Sequence, residues 1–170
     1  MLELILGGAR SGKSRLAEQK AMETKQAVCY IATAQSLDGE MQQRIVHHQQ
    51  SRPQHWQTIE EPLYLADCLL AHDQADHVLL VDCLTLWMSN LLLDANPHLQ
   101  QQECEKLLAT LPKLRSHVIL VSNETGLGVV PMGQLTRQFV DESGRLHQQI
   151  GQIADRVQFC VAGFAMSLKG

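Results

Sequence analysis

The stretch that most constrains this chain is "LELILGGARSGKS", residues 2–14. A short apolar run ends in Gly7 and Gly8, and Ala9, Arg10, Ser11 and Gly12 lead into Lys13 and Ser14. The spacing is G-x4-G-K-S. Glycines at those places let successive backbone N–H groups converge on an anion, the lysine reaches the β- and γ-phosphates, and the serine hydroxyl is a Mg²⁺ ligand. "SRLAEQKAMET" then follows with helical patterning. Phosphates held here would lie at a helix N-terminus, where unpaired N–H groups and the helix dipole favour negative charge. Glycine-rich strand exits occur in many α/β domains, but the strand before and the helix after favour the phosphate reading. Gly7 to Ser14 are therefore the expected binding loop for ATP or GTP.

Five apolar runs have strand character: Leu2–Leu6, Ala27–Ile31, Val78–Val81, Val118–Val121 and Val157–Val161. They are continuously apolar rather than alternating, as strands covered on both faces are. Helical patterns separate them over Ser14–Thr24, Asp38–Gln50, Pro62–His72, Leu84–Asp94, Leu99–Leu111 and Gly133–Asp155. Such alternation predicts an α/β fold with a doubly wound, mostly parallel sheet. Gly144 lies inside the last helical pattern, where it would kink or split the helix. There is no repeat, low-complexity tract or long linker, so a single domain over residues 1–170 is expected.

Composition narrows the partners. A net charge of −4 and 4% aromatic residues give no support for a nucleic-acid or membrane-surface partner. The N-terminus starts in a strand without a basic leader, and no apolar run approaches the ~20 residues of a membrane span. The five cysteines, Cys29, Cys68, Cys83, Cys104 and Cys160, include no C-x2-C pair. Three lie in or beside strand-like runs, which points to buried reduced thiols and a cytoplasmic location.

Beyond the loop, "HVLLVDCLT" ends a strand in Asp82. An acid at the end of a neighbouring strand holds Mg²⁺ in many phosphoryl-transfer enzymes; the alternative is a cap for the helix that follows. "HVILVSNETGLGVVP" repeats the pattern with Asn123 and Glu124, and the carboxyl ends of parallel strands face one crevice. Glu124 would orient substrate or water there, or serve only the loop. "RIVHHQQSRPQHWQTIEE" carries His47, His48, Arg52, His55, Glu60 and Glu61. Metal binding, a solvated helix face and nucleophilic catalysis are all open to it. Adjacent His47 and His48 diverge by about 100° on a helix, a poor metal pair. A neutral imidazole is a competent nucleophile at phosphorus, and Arg52 would clamp phosphate oxygens with its planar fork.

These blocks, with "LVDCLTLWMSNLL", "VSNETGLGVVP" and "GRLHQQIGQIADRV", resemble the bacterial bifunctional adenosylcobinamide kinase/adenosylcobinamide-phosphate guanylyltransferases of cobalamin assembly. The resemblance spans nearly the whole chain. It implies a P-loop, RecA-like nucleotide-binding fold, and phosphorylation of adenosylcobinamide by ATP or GTP with Mg²⁺. GMP from GTP would then pass through an enzyme histidine to adenosylcobinamide phosphate. The family pattern R-I-x-x-H-x-x-x-R-P-x-x-W, laid on Arg44, Ile45, Arg52, Pro53 and Trp56, selects His48 rather than His47 as that histidine. Nucleotide contacts carry over to Gln49, Gln50, Ser51 and Arg52, and to Ala32, Thr33, Ala34, Glu60 and Asp82. Mg²⁺ is expected on Ser14 and Asp82, and the assembly is expected to be a homotrimer. His47 is an additional histidine that the pattern does not require.

Three other readings fit parts of the sequence. A small-molecule P-loop kinase without a guanylyl step would use the histidines only as phosphate contacts. A regulatory ATP-binding module would need a partner surface, and metal storage through the eight histidines lacks closed ligand spacing. The guanine-reading motif N-K-x-D is absent, since "SNET" has the Asn but neither partner. Glu60 is the candidate to accept from the guanine N1–H and 2-amino groups.

Overall fold

The computed structural model describes residues 1–34, 53 and 55–170. The expected helix over Asp38–Gln50 lies outside the described residues, as do His47, His48, Gln49, Gln50, Ser51 and Arg52. The strands are β1 (Leu2–Gly7), β2 (Ala27–Ala32), β3 (Gln57–Glu60), β4 (His77–Asp82), β5 (His117–Asn123), β6 (Arg156–Val161) and β7 (Phe164–Lys169). The helices are α1 (Lys13–Glu23), α2 (Leu65–Ala71), α3 (Leu84–Leu93), α4 (Leu99–Thr110) and α5 (Gln134–Ile153). One seven-stranded sheet runs in the order β3-β2-β4-β5-β1-β6-β7, parallel throughout except for the β6–β7 hairpin.

Because successive side chains of a strand point to opposite faces, a two-sided sheet needs apolar residues at every position. β1 shows this: Leu2, Leu4 and Leu6 join the larger core cluster, whereas Ile5 joins the smaller one. β4 divides likewise, with Leu79 and Val81 on the first face and Val78 and Leu80 on the second. The first face is covered by α2, α3, α4 and α5 through residues such as Leu69, Trp87, Leu107 and Ile150. The second receives Ala17 and Ala21 of α1 and the buried Trp56. Gly144 does not divide the last helix, because α5 runs unbroken for 20 residues.

The five expected strands are present, each within a residue or two of its apolar run. β3 and β7 are additions. β3 is a four-residue edge strand with Ile59 as its one apolar residue, and every residue of β7 is exposed, so neither needs the two-sided apolar signature. Buried thiols are also found. All five cysteines are unpaired, and burial pushes the pKa of Cys29, Cys68 and Cys83 up to about 11 and that of Cys104 to about 12.

Candidate active site

The phosphate loop connects β1 to α1, and its geometry follows from its two motif glycines. A Cβ at Gly7 would stand 2.5 Å from Ser11 Oγ and 2.7 Å from the Cys160 carbonyl oxygen. Gly12 has φ +95°, and a Cβ there would also press within 3.2 Å of Gly163 Cα. Gly8, by contrast, would meet nothing within 4 Å. Arg10 takes a left-handed φ of 55°, which turns the loop back on itself. The Ser11 N–H donates to the Gly8 carbonyl at 3.3 Å, and the buried Lys13 donates to the same carbonyl through Nζ at 3.2 Å. The lysine thus spans the loop, and the loop opens into a cleft of about 570 Å³ lined by residues 10–15 with Ala162 and Gly163.

The last two residues belong to the β6–β7 turn, which no motif in the sequence connects to the loop. The Gly163 N–H donates to the Ser11 carbonyl at 2.9 Å. Ala162 and Gly163 both have positive φ, 51° and 84°. Gly163 between two apolar runs is the one sign of this turn in the sequence, because Ala162 is not the Asn, Asp or Gly that usually precedes it.

The carboxyl ends of neighbouring strands bring the other described candidates to the same edge. Ala32 pairs with Glu60 on one side and Asp82 on the other, and Gly7 pairs with Asn123. Asp82 is half-buried, and it is not the N-cap of α3, a position held by Cys83. Thr33 is fully buried. Its hydroxyl donates to the Cys83 carbonyl at 2.7 Å and accepts from the Cys83 N–H at 2.9 Å. Asn90 donates to the Thr33 carbonyl at 2.8 Å and to that of Pro62 at 3.1 Å. Thr33 is thus a brace for the segment after Asp82, and Ala34 is half-buried beyond it. The two acids after "HWQT" divide their tasks. Glu61 Oε1 accepts from the N–H groups of Leu63 and Tyr64 at 3.0 and 2.8 Å, while Glu60 stands exposed at the end of β3.

A second group of polar residues, unremarked in sequence, lies under this edge. Thr85 of α3, Ser122 of β5 and His147 of α5 are buried and linked by side-chain hydrogen bonds. The signal for His147 was its place on the inward stripe Ser143, Leu146, His147, Ile150 of α5.

Among the described residues no group of three or more His, Cys, Asp or Glu side chains could hold a metal by itself. Ser14 and Asp82 offer a hydroxyl and a carboxylate, both hard oxygen donors. That set suits Mg²⁺, which takes one or two protein oxygens together with substrate phosphates and water. No helix among the described residues is long and apolar enough to cross a membrane.

Comparison with known proteins agrees with this architecture. The chain shares the fold of the RadB recombinase, with a TM-score of 0.51 at 14% identity, covering 93% of this chain and 73% of that one. It is 59% identical over 170 residues to the bifunctional adenosylcobalamin biosynthesis protein CobP of Pseudomonas aeruginosa, covering 100% of this chain and 98% of the relative. It is 39% identical over 182 residues to the bifunctional adenosylcobalamin biosynthesis protein CobU of Escherichia coli, covering 99% and 100%. The family model CobU, cobinamide kinase/cobinamide phosphate guanyltransferase, matches residues 3–168. A phosphate loop after β1, an acid at the end of β4 one strand removed and this match along almost the entire chain make the protein a member of the cobinamide kinase/cobinamide phosphate guanyltransferase family.

Proposed function

We propose that this protein phosphorylates adenosylcobinamide with ATP or GTP, and then transfers GMP from GTP to adenosylcobinamide phosphate to give adenosylcobinamide-GDP. The observation that carries the reading is the single loop from Gly7 to Ser14, with the buried Lys13 spanning it and Asp82 at the same edge of the sheet, in a chain of this family. One triphosphate cradle serves both transfers.

In the first, the Gly8–Gly12 backbone and Lys13 bind the triphosphate and neutralise charge around the γ-phosphoryl group. Positioning and electrostatics supply most of the acceleration in such reactions. Ser14 and Asp82 hold Mg²⁺, which when bound adds positive charge beside the phosphate oxygens. In the second, His48 attacks the α-phosphorus of GTP and pyrophosphate leaves, Lys13 stabilising that leaving group. The resulting phosphoramidate divides one difficult transfer into two easier ones. Support for His48 is its place in the pattern shared with Arg44, Arg52 and Trp56. Gln49, Gln50, Ser51 and Arg52 contact the nucleotide beside it, as do Ala32 and Ala34. Glu60, exposed at the end of β3, reads the guanine edge.

We further propose a homotrimer in the cytoplasm. The exposed apolar side chains of Phe164, Met166 and Leu168 on β7 supply a surface for such assembly, and sedimentation tests it. The functional reading is tested by incubating the protein with GTP and Mg²⁺ and mapping the product by mass spectrometry. A GMP adduct on the peptide containing His48, labile in acid and stable in base, is expected. A protein that turns over cobinamide and ATP yet never gains the adduct would be a kinase alone.

A further inference from the structure

Beneath the carboxyl edge of the sheet runs a buried polar chain that nucleotide binding does not use. The Asn123 N–H donates to Thr85 Oγ1 at 2.6 Å, Thr85 Oγ1 lies 3.1 Å from Ser122 Oγ, and Ser122 Oγ lies 2.8 Å from His147 Nε2. His147 Nδ1 is buried without a hydrogen-bond partner, 3.9 Å from Glu124 Oε2. The protons in this chain have one favourable order. A backbone N–H only donates, so Thr85 Oγ1 accepts from Asn123 and its own proton is available to Ser122 Oγ. Ser122 then donates to Nε2, which leaves the imidazole proton on Nδ1, facing the Glu124 carboxylate. The reverse order would set a nitrogen lone pair against an anion. Burial lowers the His147 pKa, against the opposing pull of Glu124, so the ring is neutral at neutral pH.

Glu124 itself is placed by the loop it adjoins. Its N–H donates to the Gly7 carbonyl at 3.0 Å, just where the phosphate loop begins. Its Oε1 accepts from the Gly126 N–H at 2.5 Å, and its side chain is 20% exposed. Glu124 follows directly on β5, which runs between β1 with its phosphate loop and β4 with Asp82. One carboxylate oxygen is therefore anchored by backbone, and the other lies 3.9 Å from the buried His147 Nδ1 in a side chain that is partly open to solvent. A mere loop-capping acid would have no need of the second arrangement.

We propose that Glu124 is the general base of the phosphoryl-transfer step and that His147 is the residue that positions it. This rests on the kinase reading above. The acceptor hydroxyl oxygen of cobinamide bonds to the γ-phosphorus, and the bond from that phosphorus to the β,γ-bridging oxygen breaks. The nucleoside diphosphate leaves with the electron pair. The hydroxyl proton passes to Glu124 Oε2 and from there to water. A carboxylate that accepts the acceptor's proton is the arrangement protein kinases use for the same chemistry. His147 Nδ1–H, 3.9 Å away, orients Oε2 by the attraction of its dipole for the carboxylate and does not touch the reacting atoms.

The test uses the whole enzyme with cobinamide, ATP and Mg²⁺. In Glu124→Gln, kcat for phosphorylation is expected to fall by about 10²-fold or more, with KM for both substrates changed by no more than about threefold. In Glu124→Ala, added formate is expected to restore part of the rate, a response no packing defect would show. His147→Phe, which cannot donate, is expected to lower kcat by about tenfold, and His147→Gln by less, with KM again unmoved. Thermal melting and titration with a non-hydrolysable ATP analogue check that each variant keeps its fold and loop. A fall of less than about tenfold in Glu124→Gln, or no response of Glu124→Ala to formate, overturns the base. Wild-type kcat in His147→Phe overturns the positioning role. Wild-type protein that does not phosphorylate cobinamide at all overturns the kinase reading, and the base with it.

Discussion

Thr33 and Cys83 stand 50 residues apart in sequence, and a single hydroxyl joins them through two hydrogen bonds of 2.7 and 2.9 Å. The pair ties the end of β2 to the residue that follows Asp82, so the acid we propose for Mg²⁺ is positioned by a side chain hydrogen-bonded to its neighbour. Thr33→Val keeps the shape and removes both bonds. The Cys83 N–H is then left unpaired in the interior, at about 1–3 kcal/mol, while the Cys83 carbonyl keeps the Trp87 N–H at 3.2 Å. We expect a lower Tm, and a higher Mg²⁺ requirement for both activities. An unchanged Mg²⁺ dependence would show that the brace does not set the acid's position.

The glycines of the loop separate by mechanism. Gly7→Ala must displace Ser11 and the Cys160 carbonyl, and Gly12→Ala combines a left-handed backbone with contact against Gly163. Both are expected to lower nucleotide affinity by at least about 1–3 kcal/mol, a strain cost of that size being typical. Gly8→Ala should melt within a few degrees of the wild type, since its Cβ enters open space. Melting curves and nucleotide titration of the three variants check this order.

The two transfers should part company on mutation. Lys13→Ala is expected to depress phosphorylation and guanylylation alike, by about 10²–10³-fold, because one charge serves both leaving groups. His48→Ala should abolish the GMP adduct while phosphorylation of cobinamide persists. Rate measurements with separately labelled α- and γ-phosphates distinguish the outcomes.

Far from the site, Glu3 is buried between Lys20 at 2.6 Å and His117 at 2.9 Å. Burial alone would raise its pKa, but hydrogen bonds from His117 and Lys20, with their charges, outweigh it and hold the carboxyl at about 2. A folded-state pKa below the unfolded one means stability that is fully present above the unfolded value of 4.5 and is lost as pH falls toward 2. Urea melts of the wild type should therefore weaken by roughly 2–3 kcal/mol between pH 6 and pH 2 on this account, and Glu3→Gln should flatten that decline.

The β1 run, the loop and Asp82 were legible in sequence because each obeys a local rule: two-sided burial for a strand, fixed spacing for a phosphate cradle, an acid at a strand's end. Thr33 and His147 obey no local rule. Thr33 has meaning only through Cys83, and His147 only through Ser122 and Glu124, and these contacts exist once β2, β4, β5 and α5 are packed. β3 is hidden for the opposite reason, since an edge strand with three polar residues and only Ile59 against the core has no continuous apolar run. Glu60 and Glu61 are adjacent and alike in composition. Only the turn into α2, where Glu61 accepts two backbone N–H groups, tells them apart.

The Gly163 N–H that grips the Ser11 carbonyl comes from a hairpin about 150 positions downstream of the loop it steadies. β1 is likewise flanked by β5 and β6, both far later in the chain. A ribosome therefore delivers the cradle's own residues early and its supports late. A nascent chain stalled before the hairpin emerges would carry every motif of the nucleotide site and still lack a firm grip on nucleotide.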